Sequence, residues 1–227
     1  MADREVLVFD LYGTLVDPIA ISSGLARMLA PADGLEVARF WRSRQVEYSF
    51  RLTVMGRYKD FRWVTACALN DALAALDIQL SEDEKAELVA LYDRLGAFPD
   101  TMEGLQMLRL GGHVLAVLSN GTPEMVENCL KNSGLRELFA AVVSVDDVQA
   151  FKPAAVVYEN AARKLGCPIS ESRLISSNPF DVIGAKTAGM RTAWLNRSGA
   201  AFDTLGEPPD ITVSSLTQLR DRLTALD

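Results

Sequence analysis

Val6-Leu7-Val8-Phe9 is an unbroken apolar run bounded by Glu5 and Asp10. A short run without alternation is the pattern of a strand buried on both faces of a parallel sheet. From Asp17-Pro18 to about Pro99 the spacing becomes helical. Leu35 to Val54 is rich in aromatics and arginines, and Asp60 to Leu76 repeats apolar residues at helical intervals. Ser81-Glu82-Asp83-Glu84 reads as a capping box that opens a third helix through Leu95. Gly96 and Pro99 stop it, and Met102 to Leu110 is a further short helix ended by Gly111-Gly112. From His113 strands and helices alternate. Strands are expected at HVLAVLSN, Ala141–Ser144, Arg173–Ser177 and Arg191–Leu195, with a short one in the tail before a terminal helix. Helices are expected at 123–132, 153–165 with Pro153 at its start, and 179–188.

Strand-helix units joined by short loops predict an α/β fold, a doubly wound parallel sheet with a Rossmann-like core. The helical stretch interrupts this order and predicts an inserted helical cap. The expected division is a core of 1–16 and 99–227 and a cap of 17–98. No internal repeat, low-complexity tract or long linker breaks the chain.

Composition narrows the partners. The 227 residues, 49% hydrophobic, suit one domain plus an insertion. A net charge of −7 argues against nucleic acid or an acidic membrane as partner, since both need a basic face. No apolar run approaches a membrane span, and Asp3 and Arg4 open the chain unlike a secretory signal, so a cytoplasmic location is expected. Cys67, Cys129 and Cys167 are odd in number and widely spaced, as reduced thiols rather than a disulfide framework or zinc site.

Candidate chemistry gathers at the ends of strands, where open α/β sheets bind ligands. Asp10 closes the first strand, followed by Gly13 for a tight turn and the hydroxyl of Thr14. The second long strand stops at Ser119-Asn120, Lys152-Pro153 precedes a helix, and a later strand runs into Ser176-Ser177-Asn178-Pro179-Phe180-Asp181. Each alone reads as a turn, a solvated loop or a helix cap. A carboxylate is a modest nucleophile that must be fixed in line with its target and kept ionised, and a lysine within a few ångströms can keep it so.

Asp-Leu-Tyr-Gly-Thr-Leu-Val-Asp resembles the nucleophile motif of the haloacid dehalogenase-like hydrolase superfamily, and the later strings match its second, third and fourth motifs in order. Phosphatases of that superfamily carry a second Asp where this chain has Tyr12, and an acid where it has Ser177. Phe40-Trp41-Arg42-Ser43-Arg44-Gln45-Val46-Glu47-Tyr48 and Tyr58-Lys59-Asp60-Phe61 are similar to strings of the L-2-haloacid dehalogenase (type II) branch. Val46 stands where Leu is frequent there, and Phe180 where Trp or Phe occurs.

The resemblance implies a hydrolase that needs no cofactor or metal, acting on a small 2-haloacid through an aspartyl ester; the alternatives are a magnesium-dependent small-molecule phosphatase of the same superfamily and a non-catalytic carboxylate-binding relative. It implies Asp10 as nucleophile, with Thr14, Ser176 and Tyr158 positioning it and Lys152. Arg42, Asn120 and Phe180 would receive the halide. Ser119, with backbone N–H groups near Leu11 and Tyr12, would hold the carboxylate, and Asn178 with Asp181 would orient or activate the hydrolytic water. Tyr12, Val46, Phe61 and Phe180 would wall the reacting carbon. A homodimer is also implied. The only histidine, His113, opens a strand and is expected to be structural.

Overall fold

The computed structural model describes residues 4–29 and 31–225, so Asp3 of the N-terminal reading lies outside the described residues. The chain opens with β1 (Val6–Phe9). A helical stretch follows: α1 (Ser22–Leu25), α2 (Pro31–Val54), α3 (Phe61–Ala75) and α4 (Glu82–Ala90). Next come α5 (Thr101–Leu110), β2 (Val114–Ser119), α6 (Pro123–Asn132), β3 (Ala141–Ser144) and α7 (Ala155–Leu165). The chain ends with β4 (Ser172–Ser176), α8 (Pro179–Thr187), β5 (Arg191–Leu195), β6 (Ile211–Val213) and α9 (Leu216–Thr224).

The six strands form one sheet in the order β3-β2-β1-β4-β5-β6, every pair parallel. The order reverses between β1 and β4, so β1 lies at the switch point where such sheets bind ligands. Right-handed crossovers put α5 and α6 on one face and α7 and α8 on the other. The packing agrees: α5 lies on α9, and α7 on α8. At the first of these contacts Gly104 sits so near Leu216 that an added Cβ would come within 2.3 Å of the leucine Cβ. Close approach explains that glycine.

The N-terminal ends of the strands are tied by charge. Glu5 accepts from Arg173 at 2.8 and 3.0 Å and from Arg191 at 2.9 Å, joining β1, β4 and β5. Burial works to raise the Glu5 pKa, but its two arginines outweigh it and hold the carboxyl below its ordinary value. Nearby, the Glu5 N–H donates to Nδ1 of His113 at 3.3 Å.

The helical stretch between β1 and β2 packs on itself through α2 and α3. The indole of Trp41 donates to the Thr65 carbonyl at 2.7 Å, pinning the two helices together. The capping box of α4 is present: Ser81 Oγ accepts from the Glu84 N–H, and Glu84 accepts from the Ser81 N–H.

Two elements differ from expectation. The third helix of this stretch is split, α4 ending at Ala90 and a tighter turn covering Leu91–Arg94. The expected helix from Pro153 begins at Ala155 instead. Its upstream residue Lys152 is turned inward, with its N–H on Asn120 Oδ1 at 3.0 Å, which holds 152–153 outside the helical path. All three cysteines are free, and among the described residues no helix is long and apolar enough to cross a membrane.

Candidate active site

Asp10 leaves β1 between the C-terminal ends of β2 and β4, its N–H donating to the Ile175 carbonyl at 3.0 Å. Three residues on, the chain must reverse. Gly13 has φ +92°, a conformation that L side chains rarely adopt, and this turn brings Thr14 back onto Asp10. Asp10 Oδ2 accepts three hydrogen bonds, from Thr14 Oγ1 at 2.8 Å, Asn178 Nδ2 at 2.8 Å and Ser176 Oγ at 3.3 Å. Oδ1 faces the ammonium of Lys152 at 3.2 Å.

Lys152 is 1% exposed, and its ammonium lies between two carboxylates, with Asp181 Oδ2 at 2.9 Å. Burial works to lower its pKa, but the charges of Asp10 and Asp181 prevail and raise it above the ordinary lysine value. Asp181 is fully buried; burial raises its pKa and Lys152 opposes that rise. Tyr158 donates to Asp181 Oδ1 at 2.8 Å, and burial beside that carboxylate lifts the phenol well above its usual range. Gly184 on α8 makes room for this cluster, since a Cβ there would come within 2.5 Å of Pro153 and 2.7 Å of the Tyr158 hydroxyl.

A small cavity of about 10 Å³ opens over Asp10. That is room for about one water. Its walls come from two parts of the chain. Arg42, Val46 and Ser49 project from α2 and Phe61 from α3, opposite Asp10, Tyr12, Asn120, Lys152, Asn178 and Phe180. The Tyr12 and Phe61 rings stack at 5.7 Å, and Phe180 meets Phe50 edge-on at 5.0 Å. The Arg42 guanidinium donates to the Tyr12 carbonyl at 3.2 Å and to Gln45 Oε1 at 2.7 Å. A larger groove, about 720 Å³ and lined by Arg4, Arg109 and His113, lies at the opposite ends of the strands.

The site thus gathers Asp10, Tyr12, Arg42, Val46, Phe61, Asn120, Lys152, Asn178 and Phe180 around one cavity, with Thr14, Ser176, Tyr158 and Asp181 bonded behind it. Two expected residues do not reach the wall. Leu11 is fully buried, and Ser119 is buried with its Oγ accepting from the Gly121 N–H at 3.1 Å. Sequence reasoning passed over Ser49 and Gln45, both fully buried polar residues on α2. Their signal is spacing: Trp41, Gln45, Ser49 and Leu52 form one stripe at helical intervals, so the two polar members face inward.

Phosphatases of related fold use Mg²⁺, which needs several hard oxygen ligands in near-octahedral geometry. The donors here do not fit it. Asp10 and Asp181 are both spent on one ammonium, Tyr12 is apolar wall, and no cluster of three or more His, Cys, Asp or Glu forms among the described residues.

A parallel doubly wound sheet with a buried carboxylate at the tip of its first strand and a helical insertion directly after it defines an α/β protein with its candidate site at the switch point. A family model described as haloacid dehalogenase-like hydrolase matches residues 5–189, and the chain belongs to that family. Among curated relatives it is similar to haloacetate dehalogenase H-2 of Moraxella sp. (strain B), 37% identical over 94% of this chain and 95% of the relative. It is equally similar to the (S)-2-haloacid dehalogenase of Pseudomonas sp. (strain YL), 37% identical over 92% of this chain and 90% of that protein. Among solved structures, an L-2-haloacid dehalogenase from Xanthobacter autotrophicus with chloropropionic acid covalently bound superposes with a TM-score of 0.92. It is 33% identical and matches 99% of this chain and 100% of its own.

Proposed function

We propose that the protein hydrolyses short (S)-2-haloalkanoic acids to (R)-2-hydroxyacids and halide through an ester on Asp10. The observation that carries this reading is the cavity itself, with the Asp10 carboxyl group on one wall, a guanidinium on the other and aromatic rings between. Oδ2 is held by three donors and Oδ1 meets Lys152 alone, which makes Oδ1 the freer oxygen to attack. Oδ1 displaces the halogen from the rear of C2, inverting it, and the halide departs with the bonding pair. Water, oriented and activated by Asn178 with Asp181, then adds to the Cγ carbonyl of the ester; the Cγ–Oδ1 bond breaks, one of the water's protons passes to the departing hydroxyacid oxygen and the other to solvent, and Lys152 stabilises the returning carboxylate.

Arg42, Asn120 and Phe180 receive the halide, because a guanidinium offers directed donors and a ring edge is mildly positive. Ser119 lies behind the cavity wall, but its Oγ accepts from the Gly121 N–H and keeps its own hydrogen, so with the backbone N–H groups near Leu11 and Tyr12 it would donate to the substrate carboxylate once α2 and α3 move back from the strand ends. In this reading residues 17–98 act as a cap over a core of 1–16 and 99–227. The protein works in the cytoplasm, and the resemblance implies a homodimer.

The test is a single turnover in ¹⁸O water with enzyme in excess. Label is expected in the Asp10 carboxyl, and halide release from 2-chloropropionate is expected to be indifferent to EDTA. Label appearing directly in the hydroxyacid overturns the nucleophile, and phosphate-ester cleavage that requires Mg²⁺ overturns the reaction class.

A further inference from the structure

We propose that Gln45 is a positioning residue that sets the plane of the Arg42 guanidinium, and that Thr65 sets the orientation of Gln45. The inference rests on the reaction proposed above and deepens it at the leaving-group end.

Arg42 meets two acceptors through two different nitrogens, Nη1 on Gln45 Oε1 and Nη2 on the Tyr12 carbonyl. Two such bonds to a planar group define its plane. The N–H groups not so engaged are then free to face the cavity that Arg42 lines. Tyr12 supplies a backbone oxygen, which no substitution at Arg42's neighbours can turn. Gln45 supplies a side-chain amide, which would rotate unless something fixed it.

Thr65 fixes it. Its hydroxyl has a single hydrogen, donated to the Phe61 carbonyl at 2.6 Å, so toward Gln45 it can only accept. The Gln45 atom facing it at 2.7 Å is therefore the NH₂, and the amide oxygen must face the other way. There it accepts from Arg42 and, at 3.3 Å, from the hydroxyl of Tyr92. Gln45, Thr65 and Tyr92 are all buried, so water cannot replace any link. The helix pair that carries the relay is itself pinned at the same residue by Trp41, whose indole donates to the Thr65 carbonyl.

The choice of an amide is chemical as well as steric. A neutral oxygen orients the guanidinium and leaves its full charge for the halide. A carboxylate at the same place would orient it and cancel that charge. As the Oδ1–C2 bond forms and the carbon–halogen bond breaks, negative charge grows on the halogen, and it must be met by donors already in place. Chloride needs this help more than iodide, because iodide is the better leaving group. Damage to the relay must therefore fall unequally on the halogens.

The experiment compares Gln45→Glu, Thr65→Val and Thr65→Ser with the wild type on 2-chloro- and 2-iodopropionate, reading kcat and KM by halide release and inhibition by bromide. For Q45E, kcat on the chloro acid is expected to fall at least about 10-fold, with a smaller loss on the iodo acid, since one electrostatic donor is worth ~10²–10³ in rate. The iodo-to-chloro ratio therefore widens, bromide inhibition weakens, and KM changes little. T65V is expected to move the same readouts in the same direction, and T65S to restore them. Should Q45E not fold, the T65V and T65S pair decides. Equal losses on both halogens, or an unchanged ratio in folded variants, overturn the positioning role. A wild type that releases no halide from either acid instead overturns the proposed reaction.

Discussion

Asp10 is held asymmetrically, and the three donors to its Oδ2 are not equal. Thr14 and Asn178 approach to 2.8 Å, Ser176 only to 3.3 Å. Asp10→Asn is expected to abolish halide release. Asn178→Ala should lower kcat by about 10²-fold, the scale of one lost donor, and Ser176→Ala by clearly less. Steady-state halide release measures the ranking, and an S176A loss equal to that of N178A would contradict it. Much of this residue set was readable from the chain, because Asp10, Lys152 and Asn178 fall in motifs at strand ends. Gln45 and Ser49 were not, for a physical reason. A polar residue on a helix is ordinarily taken as solvated, and only their spacing with Trp41 and Leu52, together with the bond of Gln45 to Thr65 on α3, reveals that these two face inward.

At the scale of elements, two glycines make similar contacts with different consequences. Gly104 lets α5 approach α9, far from the cavity, and Gly184 lets α8 approach Pro153 and Tyr158 behind Lys152. Alanine at either position overpacks a tight contact and is expected to cost about 1–3 kcal/mol of stability. Only Gly184→Ala should also lower kcat, because it displaces the hydroxyl that holds Asp181. Urea unfolding with halide-release assays on both variants separates the two effects. Most elements were legible from the apolar pattern: β5 and α6 have the expected limits, and the N-cap at Thr122 suits the helix that follows. The start of α7 was not, because Lys152 is drawn into a charge cluster assembled by residues remote in the chain. No local propensity encodes that pull.

Across the whole molecule, Glu5 joins three strands at the end of the sheet opposite the cavity. Its pKa is lowered in the folded state, so its contribution to stability is complete above the unfolded value of about 4.3 and lost as pH falls through the folded one. Glu5→Gln is expected to be less stable than wild type by about 1–3 kcal/mol at pH 7, with the gap closing on acidification below about pH 4. Denaturation midpoints across pH test this, and a gap independent of pH would refute it. The parallel order of strands could be expected from their alternation with helices, whereas the pairing of Glu5 with Arg173 and Arg191 could not. Charges that meet across a sheet leave no trace in local spacing.

The cavity over Asp10 has room for about one water, and no organic acid can enter or leave a space of that size while its two walls stay in contact. Entry of substrate and exit of product are therefore expected to draw α2 and α3 back from the strand ends. Such movement works against the friction of the surrounding liquid. Turnover in sucrose should therefore slow as the medium thickens, even with substrate at saturation.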